Sequence, residues 1–192
     1  MDDMKVYPIR SIEDASLLFA INMDLHNATN IDECTKISLS QFEEWSMHPG
    51  NLFLACEYKS RLVGLFFSVR VKHEVFEKLM NFEMKKSEIT DADFADVDEV
   101  GSNVLLSFYA VNVKVATMLF IRHYAYLIAN QKIIEEVGVI TSVSEVKKTL
   151  SNMNLKLYKN RLLENSVNVE TYREKLKYVL ASEYVVKMIF SK

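Results

Sequence analysis

Glycine, proline and cysteine are scarce in this sequence of 192 residues, which holds four glycines, two prolines and two cysteines. Two cysteines are too few for a disulfide framework, and Cys34 and Cys56 lack the spacing of metal ligands. We therefore expect both to be reduced thiols. The four histidines share no spacing, so the sequence predicts no metal site. His123 is expected to be a hydrogen-bonded histidine of the core or of its edge rather than a catalyst.

Basic charge and long apolar runs are also missing. The formal net charge is −3 at pH 7, whereas a general nucleic-acid-binding protein normally carries a basic surface. No run reaches the roughly 18 apolar residues of a membrane span, because Arg122 and His123 interrupt the longest candidate. The first ten residues carry two acidic and two basic side chains and hold no apolar run, unlike a signal peptide. The sequence thus predicts a cytoplasmic protein that binds no nucleic acid and has no membrane span.

The first part of the chain mixes short extended and helical patterns. A short strand, "KVYPIR", precedes a helix, "SIEDASLLFAINMDLHNA", which opens with the capping residue Ser11. A second helix, "SLSQFEEWSMHPG", is bounded by a capping serine, Ser38 or Ser40, and by Pro49-Gly50. Two apolar runs, "NLFLACEY" and "RLVGLFFSVRV", then flank the two-residue connection "KS". This arrangement predicts a β-hairpin.

The second part contains an insert and then alternating strands and helices. The insert covers residues 73–103 and combines a charged helical stretch with an acidic loop. The strand "VLLSFYAV", a helix from about Val115 to Gln131 and the strand "IEEVGVITS" follow. The next stretch, "VSEVKKTLSNMNLKLYKN", has the apolar spacing of a helix, and "EYVVKMIF" has the composition of a last strand. Because a helix joins the fourth and fifth strands, we expect these two to be parallel.

These elements predict a single α/β (α+β) domain over residues 1–192. Its sheet is expected to be mixed, mostly antiparallel and twisted, with six or seven strands, helices on both faces and the insert between the third and fourth strands. The acidic loop, from Asp91 to Glu99, lacks the glycine and bidentate glutamate of a calcium loop, so a solvated loop is favoured. Nine apolar residues are predicted to be buried: Leu54, Leu65, Phe67, Leu106, Phe108, Leu119, Val139, Leu150 and Leu157.

This order of elements resembles the GNAT superfamily of acyl-CoA-dependent N-acyltransferases over nearly the whole chain. "IRSIEDASLL" looks like that family's first strand and helix start, and Gly64 stands where the family commonly has a glycine in strand three. "LLSFYAVNVKVATMLFIRHYAYL" looks like strand four and the cofactor helix. "SNMNLKLYKN" resembles the following helix, which in the family ends in a Leu-Tyr pair, here Leu157-Tyr158. The resemblance implies acetyl-CoA or a longer acyl-CoA as the donor.

The turn between strand four and its helix departs from the family. There it reads Gln/Arg-x-x-Gly-x-Gly/Ala, and its amides and the helix N-terminus hold the pyrophosphate of CoA. Here Val111, Lys114 and Ala116 stand at the motif positions, and only Ala116 fits. Lys114 is either a solvated residue at a helix start or a cation for a phosphate. The resemblance implies a glycine-free cofactor site at Tyr109, Val111, Val113, Lys114, Val115 and Ala116.

Two catalytic residues are also implied by the resemblance. Acyl transfer to an amine requires a neutral amine and a proton for the departing thiolate. In the family a tyrosine at the end of the fourth main helix often donates that proton, and Tyr158 matches its position. The alternative is a tyrosine packed at the helix end with a solvated hydroxyl. The predicted fourth strand has no carboxylate to act as a base, and Glu99, just before it, is the nearest acid. A water relay is the alternative to Glu99.

Two functions remain open. The first is an acyl-CoA-dependent N-acyltransferase that transfers an acetyl or longer acyl group to a small-molecule or protein amine. The second is a GNAT-fold binding or regulatory protein that has lost catalysis, which the glycine-free turn favours. The insert at 73–103 has apolar residues among its charges. It is a candidate surface for a protein partner, or a lid over an acyl pocket.

Overall fold

The structure of the chain is a computed structural model. It describes residues 3–9, 11–28, 37–143, 146–163 and 166–190, without the side chains of 21–28 and 188–190. Cys34 lies outside these residues. Within them the strands form a seven-stranded sheet in the order β1-β2-β3-β4-β5-β7-β6. Their bounds are β1 Met4–Pro8, β2 Leu52–Tyr58, β3 Arg61–Val71, β4 Gly101–Ala110, β5 Ile134–Thr141, β6 Lys156–Leu162 and β7 Asn168–Lys175.

Helices cover both faces of this sheet. They are α1 Ile12–Ala28, α2 Leu39–Met47, α3 His73–Met80, α4 Val113–Ala129, α5 Val146–Asn152, α6 Leu176–Leu180 and α7 Glu183–Phe190. Buried side chains of α1, α2 and α3 form the core on one face. Those of α4 to α7 form the core on the other. Neighbouring strands are antiparallel except β4 and β5, which are parallel. The predicted fold class and the parallel pair are confirmed.

Local signals in the first half of the chain correspond to the structure. The "KS" connection is a tight hairpin turn, in which Lys59 and Ser60 have φ of 49° and 58°. Two consecutive residues with positive φ match the right-handed twist of the flanking strands. The Ser38 hydroxyl caps α2 by accepting the Gln41 amide at 3.2 Å, and the Gln41 side chain accepts the Ser38 amide at 3.0 Å. Both features follow from neighbours in sequence.

Two predicted elements near the C-terminus are wrong. The helix predicted through "LKLYKN" ends at Asn152, and Lys156–Leu162 instead forms strand β6 against β7. Asn154 has φ of 64°, which reverses the chain after the helix. "EYVVKMIF" is not a strand but helix α7, where the Ser182 hydroxyl accepts the Val185 amide at 3.2 Å. The last strand in the chain is β7, which the sequence analysis did not predict.

The predicted core is largely confirmed. Leu106 and Phe108 are partly buried. Leu157 is 53 % exposed, because it lies on β6 at the edge of the sheet rather than on a helix, so its predicted burial is wrong. The remaining predicted core residues are buried: Leu54, Leu65, Phe67, Leu119, Val139 and Leu150.

The insert lies against the core. The apolar side chains of α3, including Phe76, Leu79 and Met80, are fully buried. Two 3₁₀ turns follow, Lys86–Glu88 and Asp91–Asp93. The apolar residues that suggested a partner surface therefore belong in part to the core.

Arg70 holds the acidic loop that leads into β4. This buried side chain donates hydrogen bonds to the backbone carbonyls of Ala95, Asp96 and Val97. A buried guanidinium needs such acceptors, since an unpaired one would be costly. The loop is thus fixed by carbonyl oxygens while its carboxylates remain at the surface.

A buried polar group joins α4 to the sheet at His123. Its Nε2 lies 3.0 Å from the Asn103 side-chain oxygen, and the Asn103 amide nitrogen donates to Ser68 at 3.3 Å. The Nε2–H therefore donates to Asn103, and Nδ1 has no partner among the described residues. Burial lowers the pKa of His123 to about 3. The expected core role of His123 corresponds to this environment.

The depressed pKa of His123 predicts an acid-sensitive fold. Below its usual pKa of about 6.5, the unfolded chain binds a proton that the folded chain refuses, so stability falls as the pH drops from about 6.5 toward 3. The slope from this one residue reaches about 1.4 kcal/mol per pH unit. Urea denaturation at pH 7, 6, 5 and 4 measures it, with His123→Gln as the matched variant. An equal slope in that variant would contradict the prediction.

Candidate functional site

Strands β4 and β5 separate at their carboxyl ends. The last residue pair between them is Leu105–Val139. Beyond it β4 continues to Ala110 in register with β3, whereas β5 ends at Thr141. A gap therefore opens between residues 106–110 of β4 and residues 140–141 of β5, called the β4–β5 gap below. Separated strands leave backbone groups without ladder partners, so they are positioned to bind a ligand.

A bulge lies at the apex of this gap. The β3–β4 register passes from Phe67–Ser107 to Ser68–Leu105, so Leu106 has no partner on β3. Leu106 is also the first residue of β4 beyond the last pair with β5. Bulges of this kind often occur beside functional sites, where they redirect the backbone. The Leu106 carbonyl accepts a hydrogen bond from the Lys86 ammonium, with a Nζ–O distance of 2.8 Å.

Lys86 is an unusual lysine. It comes from the first 3₁₀ turn of the insert, and its side chain is half-buried, with the ammonium as its buried end. Burial lowers the pKa of Lys86 to about 8. The structure gives it no ion pair with any described carboxylate. The sequence analysis did not select Lys86, since "KK" in a charged stretch gives no sign of which lysine is buried.

The N-terminus of α4 lies at the end of β4, as the resemblance implied. Asn112 caps the helix: its side-chain oxygen accepts the Val115 amide at 3.0 Å, and its backbone carbonyl accepts the Ala116 amide at 3.1 Å. The amides of Val113 and Lys114 have no acceptor among the described residues. Helix starts leave such amides unpaired, so the anion-binding capacity of this turn rests on these two. Asn112 was recognisable from sequence as a preferred capping residue, but the predicted helix began too late.

The predicted cofactor residues fall into two groups. Val111, Val113 and Lys114 are exposed, Val113 at 82 %. Val115 is buried: a methyl group added at Gly64 would lie 2.5 Å from Val115 Cγ1, which shows how closely α4 approaches β3. Its amide is already bonded, as is that of Ala116, which is half-buried.

Tyr109 is separated from the α4 turn. It lies on β4 one residue before Ala110, and its side chain packs against the core under α1, α2 and α3. Helix α4 packs on the opposite face of the sheet. Tyr109 is therefore a candidate to line the gap from the α1–α3 side rather than to hold a phosphate.

Tyr158 is not at the end of a helix, and this part of the prediction is wrong. It lies on the edge strand β6, where its hydroxyl is 3.4 Å from the Asn81 side-chain oxygen and its ring covers the Arg173 guanidinium. A shallow cleft of about 610 Å³ runs here, between the end of α3 and β6. Strand β6 is two strands away from β5, roughly 10 Å at usual strand spacing. The position at a helix end that implied its role as proton donor is therefore absent, and the role itself stays a prediction.

Glu99 lies at the other end of β4 from the gap. Its carboxylate accepts the Asp96 amide at 3.0 Å within a local turn, and its side chain is exposed. Leu106 is seven positions further along the extended chain, roughly 20 Å away. The fold therefore places Glu99 far from the β4–β5 gap. Proximity in sequence to β4 did not indicate which end of the strand carries the gap.

Further features of the described residues limit the chemistry. No cluster of three or more histidine, cysteine or acidic side chains is arranged to hold a metal ion within the described ranges. Among the residues that the structure describes, no helix is long and apolar enough to cross a membrane. The buried Cys56 is a free thiol whose pKa burial raises, so it is a poor nucleophile.

Comparison with solved structures identifies the fold. A GNAT-family acetyltransferase from Streptococcus pneumoniae superposes with a TM-score of 0.60 at 9 % identity, covering 90 % of this chain and 99 % of that one. FeeM, an N-acyl amino acid synthase from uncultured soil microbes, superposes with a TM-score of 0.61 at 9 % identity, covering 93 % of each chain. AAC(6')-Ib, solved in complex with paromomycin and acetyl-CoA, superposes with a TM-score of 0.50 at 9 % identity, covering 95 % and 98 %. No family profile and no curated protein matches the sequence. The chain has the GNAT fold.

Proposed function

We propose that this protein is an acyl-CoA-dependent N-acyltransferase. The observation that carries the proposal is the β4–β5 gap, which opens at Leu106 and has the start of α4 beside it. Such a gap accepts an extended chain between two strands, and the free amides of α4 accept an anion next to it. Acyl-CoA combines these two chemical parts. The similarity of the fold to the structures of acyltransferases supports the same assignment.

The residues of the turn fit a phosphate only in part. The amides of Val113 and Lys114 have no acceptor among the described residues, both residues are exposed, and the Lys114 side chain adds a positive charge. Against this, the turn carries side chains where glycine would let phosphate oxygens approach the backbone. We therefore expect acyl-CoA to bind through two amides and Lys114, more weakly than a glycine-lined turn would allow. Acyl-CoA supplies an activated thioester carbonyl, which an amine attacks.

Binding of acetyl-CoA tests this proposal by titration calorimetry. We expect Lys114→Ala to weaken binding roughly fivefold, about 1 kcal/mol, because one exposed charge-assisted contact is lost. Added salt should weaken wild-type binding and affect the variant less. Lys132→Ala is the matched control, since Lys132 is an exposed lysine beyond the other end of α4. Absence of binding at millimolar acetyl-CoA would overturn the proposal.

A binding or regulatory protein on the same fold is the second candidate. It is favoured by the Asn112 cap, which occupies two amides of the turn, and by the carboxylate-free β4. In that case acyl-CoA would not bind, and no acyl group would be transferred to any amine.

For the N-acyltransferase, the acceptor is an amine on a small molecule or a protein.

A further inference from the structure

Lys86 places a primary amine at the apex of the β4–β5 gap. Its Nζ is 2.8 Å from the Leu106 carbonyl, where the β3–β4 and β4–β5 ladders both lack a partner. Under the proposed function, the extended chain of acyl-CoA that carries the thioester lies in this gap. We propose that Lys86 is itself an acyl acceptor, taking the acyl group from an acyl-CoA bound in the gap of its own chain. The inference rests on the proposed function and deepens it by naming an acceptor.

The environment of Lys86 favours the reactive form of the amine. An ammonium ion has no lone pair, so only the neutral amine attacks a thioester. With a pKa of about 8, roughly 10 % of the side chain is neutral at pH 7, whereas an ordinary lysine is roughly 0.04 % neutral. Burial without an acidic partner is the cause, because a nearby carboxylate would hold the proton on.

The anchoring hydrogen bond suits both the amine and its product. A neutral amine keeps two N–H groups, so one can stay on the Leu106 carbonyl while the lone pair is available to the gap. In the step, Nζ forms a bond to the thioester carbonyl carbon and the C–S bond breaks. The CoA sulfur leaves as thiolate and takes up the proton released from Nζ. The amide formed on Lys86 retains one N–H, which can still donate to Leu106.

The neighbouring lysine provides a contrast. Lys85 is exposed, and its backbone amide donates to the Glu88 carboxylate, so the local turn fixes which of the two lysines points inward. A purely structural role for Lys86, in which it only satisfies the Leu106 carbonyl, is the competing explanation. That role requires the N–H donor but no reaction. The acceptor role predicts that Lys86 gains the mass of an acyl group, whereas the structural role predicts no change in its mass.

The test is intact-protein mass spectrometry of the full chain incubated with acetyl-CoA, followed by peptide mapping. We expect one acetyl group per chain, on Lys86. The rate should saturate with acetyl-CoA and, for a reaction within one chain, should not depend on protein concentration. It should rise with pH and level off above about pH 8. Lys86→Arg should abolish this acetylation and still bind acetyl-CoA, while Lys85→Arg should behave as wild type.

Other outcomes would overturn the inference. If acetyl-CoA binds by calorimetry but Lys86 stays unmodified, this inference fails while the proposed function stands. If acetyl-CoA does not bind, both fail. If the small thioester S-acetyl-N-acetylcysteamine labels Lys86 as fast as acetyl-CoA does, Lys86 is a reactive surface amine and not an acceptor served by the gap. Peptide mapping of the wild type decides these cases even if Lys86→Arg does not fold.

Discussion

Replacing Leu119 by alanine is expected to lower the free energy of unfolding by about 3 kcal/mol, within the ~2–5 kcal/mol measured for buried leucines. Leu119 is fully buried on α4 and packs with Leu54, Phe66 and Val115. Its Cδ1 lies only 2.9 Å from where a methyl group on Gly64 would stand, so it rests directly on the β3 backbone. Alanine would leave a cavity between helix and sheet that the backbone cannot readily close.

Thermal and urea denaturation measure this loss. For a chain of this size, about 3 kcal/mol corresponds to a fall in Tm of roughly 6–12 °C. Ile121→Ala is the matched control on the same helix, because Ile121 is 41 % exposed, and we expect it to cost at most about 1 kcal/mol. A loss below about 0.5 kcal/mol for Leu119→Ala would show that α4 does not pack on β3 in this register.

Replacing Arg173 by alanine is expected to cost about 3 kcal/mol as well, for an electrostatic reason. The guanidinium donates two hydrogen bonds to Glu77, at 2.9 and 2.6 Å, and two to Glu136, at 2.9 and 2.8 Å. Its side chain is 15 % exposed and that of Glu136 is 11 % exposed. Removing one partner of such a pair leaves a buried charge uncompensated, which costs ~3–5 kcal/mol. We take the lower end because Glu77 is partly in water.

The pH dependence separates this effect from lost packing. The hydrogen bond from Arg173 lowers the pKa of Glu77 below its usual value. The stabilisation is therefore present above about pH 4.5, and is lost as the pH falls through the lowered pKa of the folded state. The difference in stability between wild type and Arg173→Ala should shrink below about pH 4. A loss under about 1 kcal/mol at pH 7, or a difference that stays constant at low pH, would contradict the prediction.

Adding Glu136→Gln to Arg173→Ala provides a further control. The double variant removes the orphaned charge, so it should recover part of the stability lost by the single variant. The aromatic rings of Phe76 and Tyr158, each 4.9 Å from the guanidinium carbon, lose their cation in both variants. Equal stability of the two variants would assign the loss to these rings rather than to the charges.

The elements with local signals could be predicted from the amino-acid sequence alone. The β2–β3 hairpin followed from two apolar runs around Lys59-Ser60, and the start of α2 from the Ser38 cap. The parallel pairing of β4 and β5 followed from the helix between them, because a crossover of that length returns the chain in the same direction. These features depend on chain connectivity and on neighbours a few residues apart.

Strand β7 was missed because its polar residues are satisfied by distant partners, and β6 was missed because every residue of this edge strand is exposed. Arg173 on β7 pairs with Glu77 and Glu136, and Glu170 pairs with Lys147 at 2.7 Å. In a sequence such charges indicate a solvated segment, since the compensating partner lies elsewhere in the chain. Helix α7 was predicted as a strand because it contains β-branched residues. Its Val185 packs in the core on the face of the sheet that α4 covers.

The candidate site shows the same division. The sequence placed the start of α4 correctly enough to select Lys114, because the strand–turn–helix pattern is continuous in the chain. The family resemblance implied Tyr158 and Glu99 near the chemistry, and the sheet places them at other positions. Only the tertiary structure distinguished Lys86 from Lys85. Two adjacent lysines are equivalent in a sequence, and only the fold decides that Lys85 is exposed while the Lys86 ammonium is buried.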